Sequence, residues 1–420
     1  MSWQVTVPNL DSLPHMTEPE QKERHASWLE LFFDLVAVAA VAQLAHLLHG
    51  DAHHGPGGMD ITAFFTLYLA IWLLWTTFTM YSNVVADKVR LQAMFFGMAG
   101  IATLAAAVPH ATDSRANVFA AAYLVTNSVG TGAFQNSGRV LLSWMATSQN
   151  AGLVPWIVSF FVDDPWWKLG LWLFGLLLTM AFSVFTSRGD QEEMLARMNE
   201  SIAKRVERSR RRWPGGRKAQ RGPAGRERPT RFAPALLDAG HLGERLGLFV
   251  IIVLGEAMLQ SVGAVAQLDD WGRHTAGGWL LRLTIAAAFA LLITLWGLNV
   301  RYGFAEETRF PPAVVLPAHF VVVASITAIA AGLGTSVAGS TEHLNAANAW
   351  LMCGGLAAFL LVVNLLVAHT RRWPLRALAV VLPLVAAALG PWLPGAVLVT
   401  VMAVAAGGQL WTLSVVRSDK

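Results

Sequence analysis

Two stretches of this chain place carboxylates in strongly apolar sequence. The first, His25-Ala-Ser-Trp-Leu-Glu30-Leu-Phe-Phe-Asp34-Leu-Val, runs straight into an apolar block. The second, His241-Leu-Gly-Glu244-Arg245-Leu-Gly-Leu-Phe-Val-Ile-Ile-Val-Leu-Gly-Glu256, carries four ionisable residues into another. Ionised side chains within lipid cost a few kcal/mol or more, so they mark proton relays, ion paths or catalytic groups. Glu30 and Asp34 are four residues apart and share one helix face. Ser27-Trp-Leu-Glu30 also reads as a capping box, which gives Glu30 a purely structural role beside the chemical one. A structural salt bridge is the corresponding plain role for Asp34. Glu256 follows Arg245 by eleven residues, about 16 Å along a helix, so Arg245, Glu256 and Gln260 share a face. Asp34, Glu256 and Glu30 are therefore the candidate proton-carrying or general-acid residues. If both stretches start at the same membrane face, Asp34 and Glu256 should approach one shared polar site.

Other polar residues at similar depths extend this picture. They are Tyr81, Asn83, Asn299, Arg301, His319, Asn364 and His369. Arg245 and Arg301 are the natural cations for Glu30 and Asp34, and together these residues predict a polar cavity open to the cytoplasmic side. Trp72, Trp75 and Trp296 fall inside apolar blocks as candidate pocket walls, with helix packing as their alternative use. The candidate substrate-binding set is Arg245, Glu244, His241, Trp72, Trp75, Trp296, Asn299 and Arg301.

The elements that must position these groups are membrane spans. Hydrophobic residues make up 55% of the 420-residue chain and charged residues only 14%, whereas a soluble domain is about one-quarter charged. The apolar residues come in blocks of about 20, long enough to cross the bilayer core as helix. The blocks predict twelve spans, near 28–49, 60–84, 90–110, 116–136, 140–162, 167–187, 242–265, 278–300, 313–336, 346–369, 374–390 and 393–416. The fold expected is all-α, a polytopic bundle of six spans plus six. Lys and Arg concentrate in alternate loops and leave only Arg115, Lys168, Arg273 and Arg282 on the other side, which places both termini in the cytoplasm.

The chain divides into an N-terminal tail (1–24), a first six-helix half (25–187), a basic linker (188–240) and a second half (241–420). The linker holds Lys204-Arg205, Arg210-Arg211-Arg212 and Arg217-Lys218. It reads as a topology-setting segment near anionic lipid, with 190–212 as a charged helix and 213–232 as coil, rather than as a nucleic-acid site. Both halves open on a His, then a Glu, then an acid-bearing helix, so the halves are candidate parallel repeats.

Trp156, Trp166, Trp167, Trp271, Trp279, Trp350 and Trp392 are expected in one interfacial belt, and Trp28 and Trp373 in the other. His46, His49, Asp51, His53 and His54 crowd the first loop between glycines; a polar turn is expected there, and no metal. No phosphate loop, zinc-protease motif, nucleophile elbow or dinucleotide fingerprint is present, and no cofactor is expected. The expected partners are membrane lipids and an unknown small-molecule or lipophilic substrate.

Trp-Leu-Glu-Leu-Phe-Phe-Asp-Leu (28–35) and Glu-Arg-Leu-Gly-Leu-Phe-Val-Ile-Ile-Val-Leu-Gly-Glu (244–256) resemble the two signature motifs of the bacterial low temperature requirement A (LtrA) family. The resemblance covers residues 24–416. It implies a helical fold in the bacterial inner membrane and importance for Glu30, Asp34, His241, Glu244, Arg245 and Glu256. Members of that family often close the eighth span on an Asp; here the region reads Leu-Trp296-Gly-Leu-Asn299-Val-Arg301-Tyr, with a base in place of the acid.

Two functions fit these residues. The first is a proton-coupled secondary transporter, with Glu256 as the proton-linked acid, Asp34 or Glu30 assisting and Arg245 modulating them. The second is an intramembrane enzyme, such as an acid-initiated terpene cyclase. There Asp34 or Glu256 would protonate an isoprenoid or lipid in an aromatic pocket.

Overall fold

The computed structural model describes residues 25–49, 55–86, 89–140, 152–187, 233–235, 237–268, 275–304, 310–367 and 372–418, with scattered helical positions between 193 and 208. The first half comprises α1 (Trp28–Leu47), α2 (Gly58–Val85), α3 (Leu91–Ala107), α4 (Ala116–Ser137), α5 (Leu153–Val158) and α6 (Pro165–Ser187). The second comprises α7 (Ala239–Ala266), α8 (Ala276–Tyr302), α9 (Pro312–Ala338), α10 (Ala346–Leu366), α11 (Trp373–Leu389) and α12 (Gly395–Ser418). The architecture is all-α. A two-residue parallel pairing, Arg139–Val140 with Ala233–Pro234, is its one sheet among the described residues. Described positions between 193 and 208 are helical, with Arg197–Glu193 and Lys204–Glu200 ion pairs at 2.6 Å each. Residues 213–232 lie outside the described residues.

Among the described residues, ten helices are long and apolar enough to cross a membrane, and the protein is a multi-pass membrane protein. The two other expected spans differ. α4 has 22 residues, but Asn127, Gln135 and Asn136 make it more polar than the ten. α5 has only six residues, too few to cross a core of roughly 30 Å. Residues 141–151 of the expected fifth span lie outside the described residues. Trp156 on α5 is fully buried rather than interfacial, stacked against Trp172 at 5.0 Å and Tyr123 at 3.9 Å between ring centroids. The other belt tryptophans do face outward: Trp28 is 89% exposed, and Trp166, Trp167, Trp279, Trp350, Trp373 and Trp392 are at least half exposed. Trp271 lies outside the described residues.

Contacts at the helix ends fix the direction of each element. The Arg139 guanidinium donates to the Val84 carbonyl at 2.8 Å, and that of Arg90 donates to the Asn136 carbonyl at 3.4 Å. The end of α2, the start of α3 and the end of α4 therefore meet. Lys168 donates to Asn117 at 3.1 Å, so α6 begins beside the start of α4, at the opposite end of the bundle.

In the first half α1 packs on α3, α3 on α4 and α5 on α6; in the second α7 packs on α9, α9 on α10 and α11 on α12. The same pairs recur six helices apart. The halves meet where α1 and α2 lie against α7 and α9. α2 is the innermost element, with 83% of its most apolar window buried. After Asp60 it carries no charge, and its aromatic and threonine side chains face neighbours on every side.

Small residues set the closest helix approaches, as membrane packing favours. A Cβ at Gly97 would stand 2.8 Å from the Phe78 ring, and one at Gly332 2.7 Å from Met352 Cβ. A Cβ at Gly100 would collide with the buried Thr126 side chain across the α3–α4 seam. Gly100→Ala should therefore destabilise the bundle by about 1–3 kcal/mol, the usual range for overpacking. Adding Thr126→Ala should recover most of that loss. Thermal unfolding of the two variants in one detergent checks both halves of this expectation; an unchanged melting temperature for Gly100→Ala alone would refute it.

Candidate functional site

α1 and α7 start at the same end of the bundle and run parallel, and this brings the two acidic stretches together. Each helix start is capped by its own sequence. Ser27 Oγ accepts from the Glu30 amide at 3.3 Å, and Glu30 Oε2 accepts from the Ser27 amide at 2.9 Å and hydroxyl at 2.8 Å, completing the capping box. Asp238 Oδ1 caps α7 by accepting from the His241 amide at 3.0 Å. Asn83, at the end of α2, exchanges two hydrogen bonds with the Asp238 backbone, at 2.9 and 3.0 Å. The starts of α1 and α7 and the end of α2 are thereby fixed at one level.

Glu30 uses its second oxygen across the interface between the halves. Oε1 lies 3.2 Å from His241 Nε2 and 3.6 Å from Arg245 Nη1. Arg245 Nη2 donates to Asp34 Oδ1 at 2.5 Å, and Nη1 donates to Ser82 Oγ at 2.9 Å. Trp75 Nε1 donates to the same Asp34 oxygen at 2.7 Å. Arg245 and Asp34 are wholly inaccessible to solvent, and Glu30 and His241 are 2% exposed. Asp34 Oδ2 and Arg245 Nε, also buried, have no hydrogen-bond partner among the described residues. At the rim Glu244 accepts from the Ala26 amide at 3.2 Å and pairs with His25 at 3.4 Å.

A layer of rings covers the far side of Asp34. Trp72 Nε1 donates to His319 Nδ1 at 3.1 Å. That leaves the proton on Nε2, which donates to the Leu246 carbonyl at 3.2 Å. The imidazole stacks on Trp75, 5.3 Å between centroids at 18°, and contacts Phe249 and Phe304. α2, α7 and α9 are thus tied together through one neutral histidine.

Asp34, Glu30, Arg245 and His241 come together, with Trp75 and Trp72 beside them and Glu244 at the edge, but this is not the meeting of Asp34 with Glu256 expected from the sequence. Glu256 does not join it. It is half-buried further along α7, and its hydrogen bond is to Gln260 at 3.2 Å. Two helices that start level and run parallel keep Glu256 at its own depth, three turns beyond Arg245. Arg301 is exposed and Trp296 is 50% exposed on the outer surface of α8. Asn299 is buried, its backbone carbonyl accepts from the Gly303 amide at the end of α8, and among the described residues no hydrogen bond joins it to the acids. Asn364 belongs to a separate cluster, accepting from Arg376 Nε at 2.7 Å and from Gln409 Nε2 at 2.5 Å. His369 lies outside the described residues.

Sequence reasoning missed Ser82 and treated Trp75 only as a wall. The signal was present: Trp72, Trp75, Thr79 and Ser82 recur at helical spacing on one face of α2. At the end of α1 the His46 and His49 rings lie 5.0 Å apart; Asp51, His53 and His54 lie outside the described residues. Among the described residues no group of three His, Cys, Asp or Glu could hold a metal.

The model of the bacterial low temperature requirement A protein (LtrA) matches residues 25–409. The chain belongs to the LtrA family. Both signature stretches fall inside the match, and they are the two strands of sequence that meet in the charge cluster. No curated protein matches the LtrA chain.

Removing one partner of a buried ion pair strands the other in low dielectric. Arg245→Met should cost about 3–5 kcal/mol of stability. Combining it with Asp34→Leu should cost less than the sum of the single changes, because neither charge is then left alone. A double-mutant cycle by thermal unfolding measures this coupling, and strict additivity would contradict the geometry.

Proposed function

We propose that this LtrA protein is a proton-coupled transporter in which the Glu30–Asp34–Arg245–His241 cluster is the proton-responsive lock between the halves. One observation carries the reading. Arg245 of the second half is held, dry, between two carboxylates of the first. Two acids and one guanidinium leave one negative charge when His241 is neutral. A single added proton, on His241 or on a carboxylate, neutralises the cluster. Protonating Asp34 or Glu30 also removes a partner from Arg245 and weakens the bond between the halves. Alternating access requires the halves to move against each other, and here they can move only by breaking these contacts. Glu256, half-buried three turns further on, supplies a second protonation site along the same helix.

The chain crosses the membrane twelve times in this reading, with both termini in the cytoplasm. The positive loops support it, as does the placement of Arg139 and Lys168 at opposite ends of the bundle. Between them lies α5, whose six residues are too few to cross alone. A cytoplasmic C-terminus predicts that a fusion there to green fluorescent protein will fluoresce, whereas an alkaline phosphatase fusion will be inactive. The reverse pattern would overturn the orientation.

Transport is tested with purified protein in liposomes that contain a pH dye, challenged with pools of small amphiphiles and metabolites. A pool that moves protons in the wild type should lose roughly ten-fold or more of its flux in Asp34→Asn, since the coupling charge is gone. Glu256→Gln should reduce the flux by less. Equal flux in wild type and Asp34→Asn would remove the lock from the mechanism.

One observation favours the second reading, intramembrane catalysis on a lipophilic substrate. Asp34 Oδ2 is buried and unpartnered beside an indole. Polyprenyl substrates that emerge unchanged by mass spectrometry would eliminate it.

A further inference from the structure

A groove of about 410 Å³ lies between α2, α9 and α10. It sits toward the end of the bundle opposite the charge cluster, since Ile61 and Phe65 open α2 and Ala347 and Trp350 open α10. We propose that this groove binds a hydrocarbon chain of a membrane lipid, taken sideways from the surrounding bilayer.

Four observations point to that occupant. First, all three helices are membrane-spanning by length and apolarity, so the medium at the groove mouth is lipid chain rather than water. Second, among the described residues no charged side chain lines it, and the polar side-chain groups are the Ser325 hydroxyl and the Trp350 indole N–H. A phosphate, sugar or amine would find no charged partner there; an acyl chain needs none. Third, the space is real at its floor. A Cβ at Gly354 would meet no atom within 4 Å, whereas one at neighbouring Gly355 would sit 3.2 Å from the Ser325 carbonyl. One glycine keeps the helices close and the next leaves the groove open. Fourth, the mouth is framed by aromatic side chains that project outward, Phe65 at 40% and Trp350 at 50% exposure.

The back wall connects the groove to the charge cluster. Phe320 faces the groove and packs against Trp72 at 5.4 Å and Tyr68 at 5.8 Å. Trp72 holds His319, His319 stacks on Trp75, and Trp75 donates to Asp34. A chain in the groove therefore braces the same stack of rings that positions Asp34. Binding does not depend on the transport reading, and the test below does not measure transport.

The probe is a phosphatidylcholine carrying a diazirine at mid-chain, present as a trace component of liposomes that contain the full-length protein. After illumination, labelled peptides are mapped by mass spectrometry. Labelling around Phe65, Trp350 and Leu351 should exceed that at Phe95 and Phe96, which are exposed on the open face of α3. Gly354→Leu and, separately, Ala358→Leu fill the groove. Each should cut groove labelling by roughly five-fold or more, as expected when a pocket of this size loses its free space, while α3 labelling stays constant. Constant α3 labelling also shows that the variants are folded. Groove labelling no higher than that of α3, or unchanged in both variants, would overturn the proposal.

Discussion

A guanidinium with no access to water organises this molecule. Arg245 is buried as completely as any aliphatic side chain in the bundle, and its charge must be matched within a few ångströms. Glu30, Asp34 and Ser82 supply the match, and they come from two different helices of the opposite half. The requirement is geometric as well as electrostatic. A guanidinium has a rigid fork, so its partners must lie in its plane and at its depth. α1 and α7 can meet it only by starting together and running parallel. The caps serve this end: Ser27 with Glu30, and Asp238 with Asn83, fix where each helix begins. A slip of one residue in α1 would rotate Asp34 by about 100° and away from its cation.

α2 is the second determinant, because it lies inside both interfaces. Its face of Tyr68, Trp72, Trp75 and Ser82 meets α9 and α7 with bonds that an apolar helix could not make. Tyr68 reaches Thr327 at 3.2 Å, Trp72 reaches His319, and Trp75 reaches Asp34. Lipid gives helices little hydrophobic reason to associate, so packing and interhelical hydrogen bonds carry more of the specificity. The buried indoles provide both: large surface for packing and one N–H each for aim.

The sequence made some of this readable and concealed the rest. The spans showed because lipid demands about 20 apolar residues in a row, and ten of the twelve expected blocks became long apolar helices. α4 and α5 were the blocks interrupted by Asn127, Gln135 and Pro155, and they are the elements that depart from a plain span. The pairing of Glu30 and Asp34 with Arg245 was legible from helix spacing and loop charge, since both stretches had to begin at one face. Spacing along a helix gives face but not distance to another helix. That is why Glu256, on the same stripe as Arg245, was expected at a site it does not reach. Trp296 and Arg301 misled for a related reason: nothing in a uniformly apolar α8 says which side meets protein and which meets lipid. Trp156 was mistaken for an interfacial residue because belt and core tryptophans look alike until their stacking partners are known.

The composition of the cluster fits the proton-responsive role proposed for it. A fixed tie between halves would be made most cheaply by packing alone, because the desolvation of an ion pair commonly cancels its attraction. If charge were needed for register, one acid and one base would suffice. This site instead gathers two carboxylates, one guanidinium and an imidazole. Such a set has two neighbouring charge states that differ by one proton. In one, Arg245 is shared between two anions; in the other, where the proton sits on a carboxylate, it keeps a single strong partner. On the proposed reading, a contact that must release Arg245 under protonation is served by carrying one acid more than the cation needs, because a proton on either carboxylate then weakens the tie between α1 and α7.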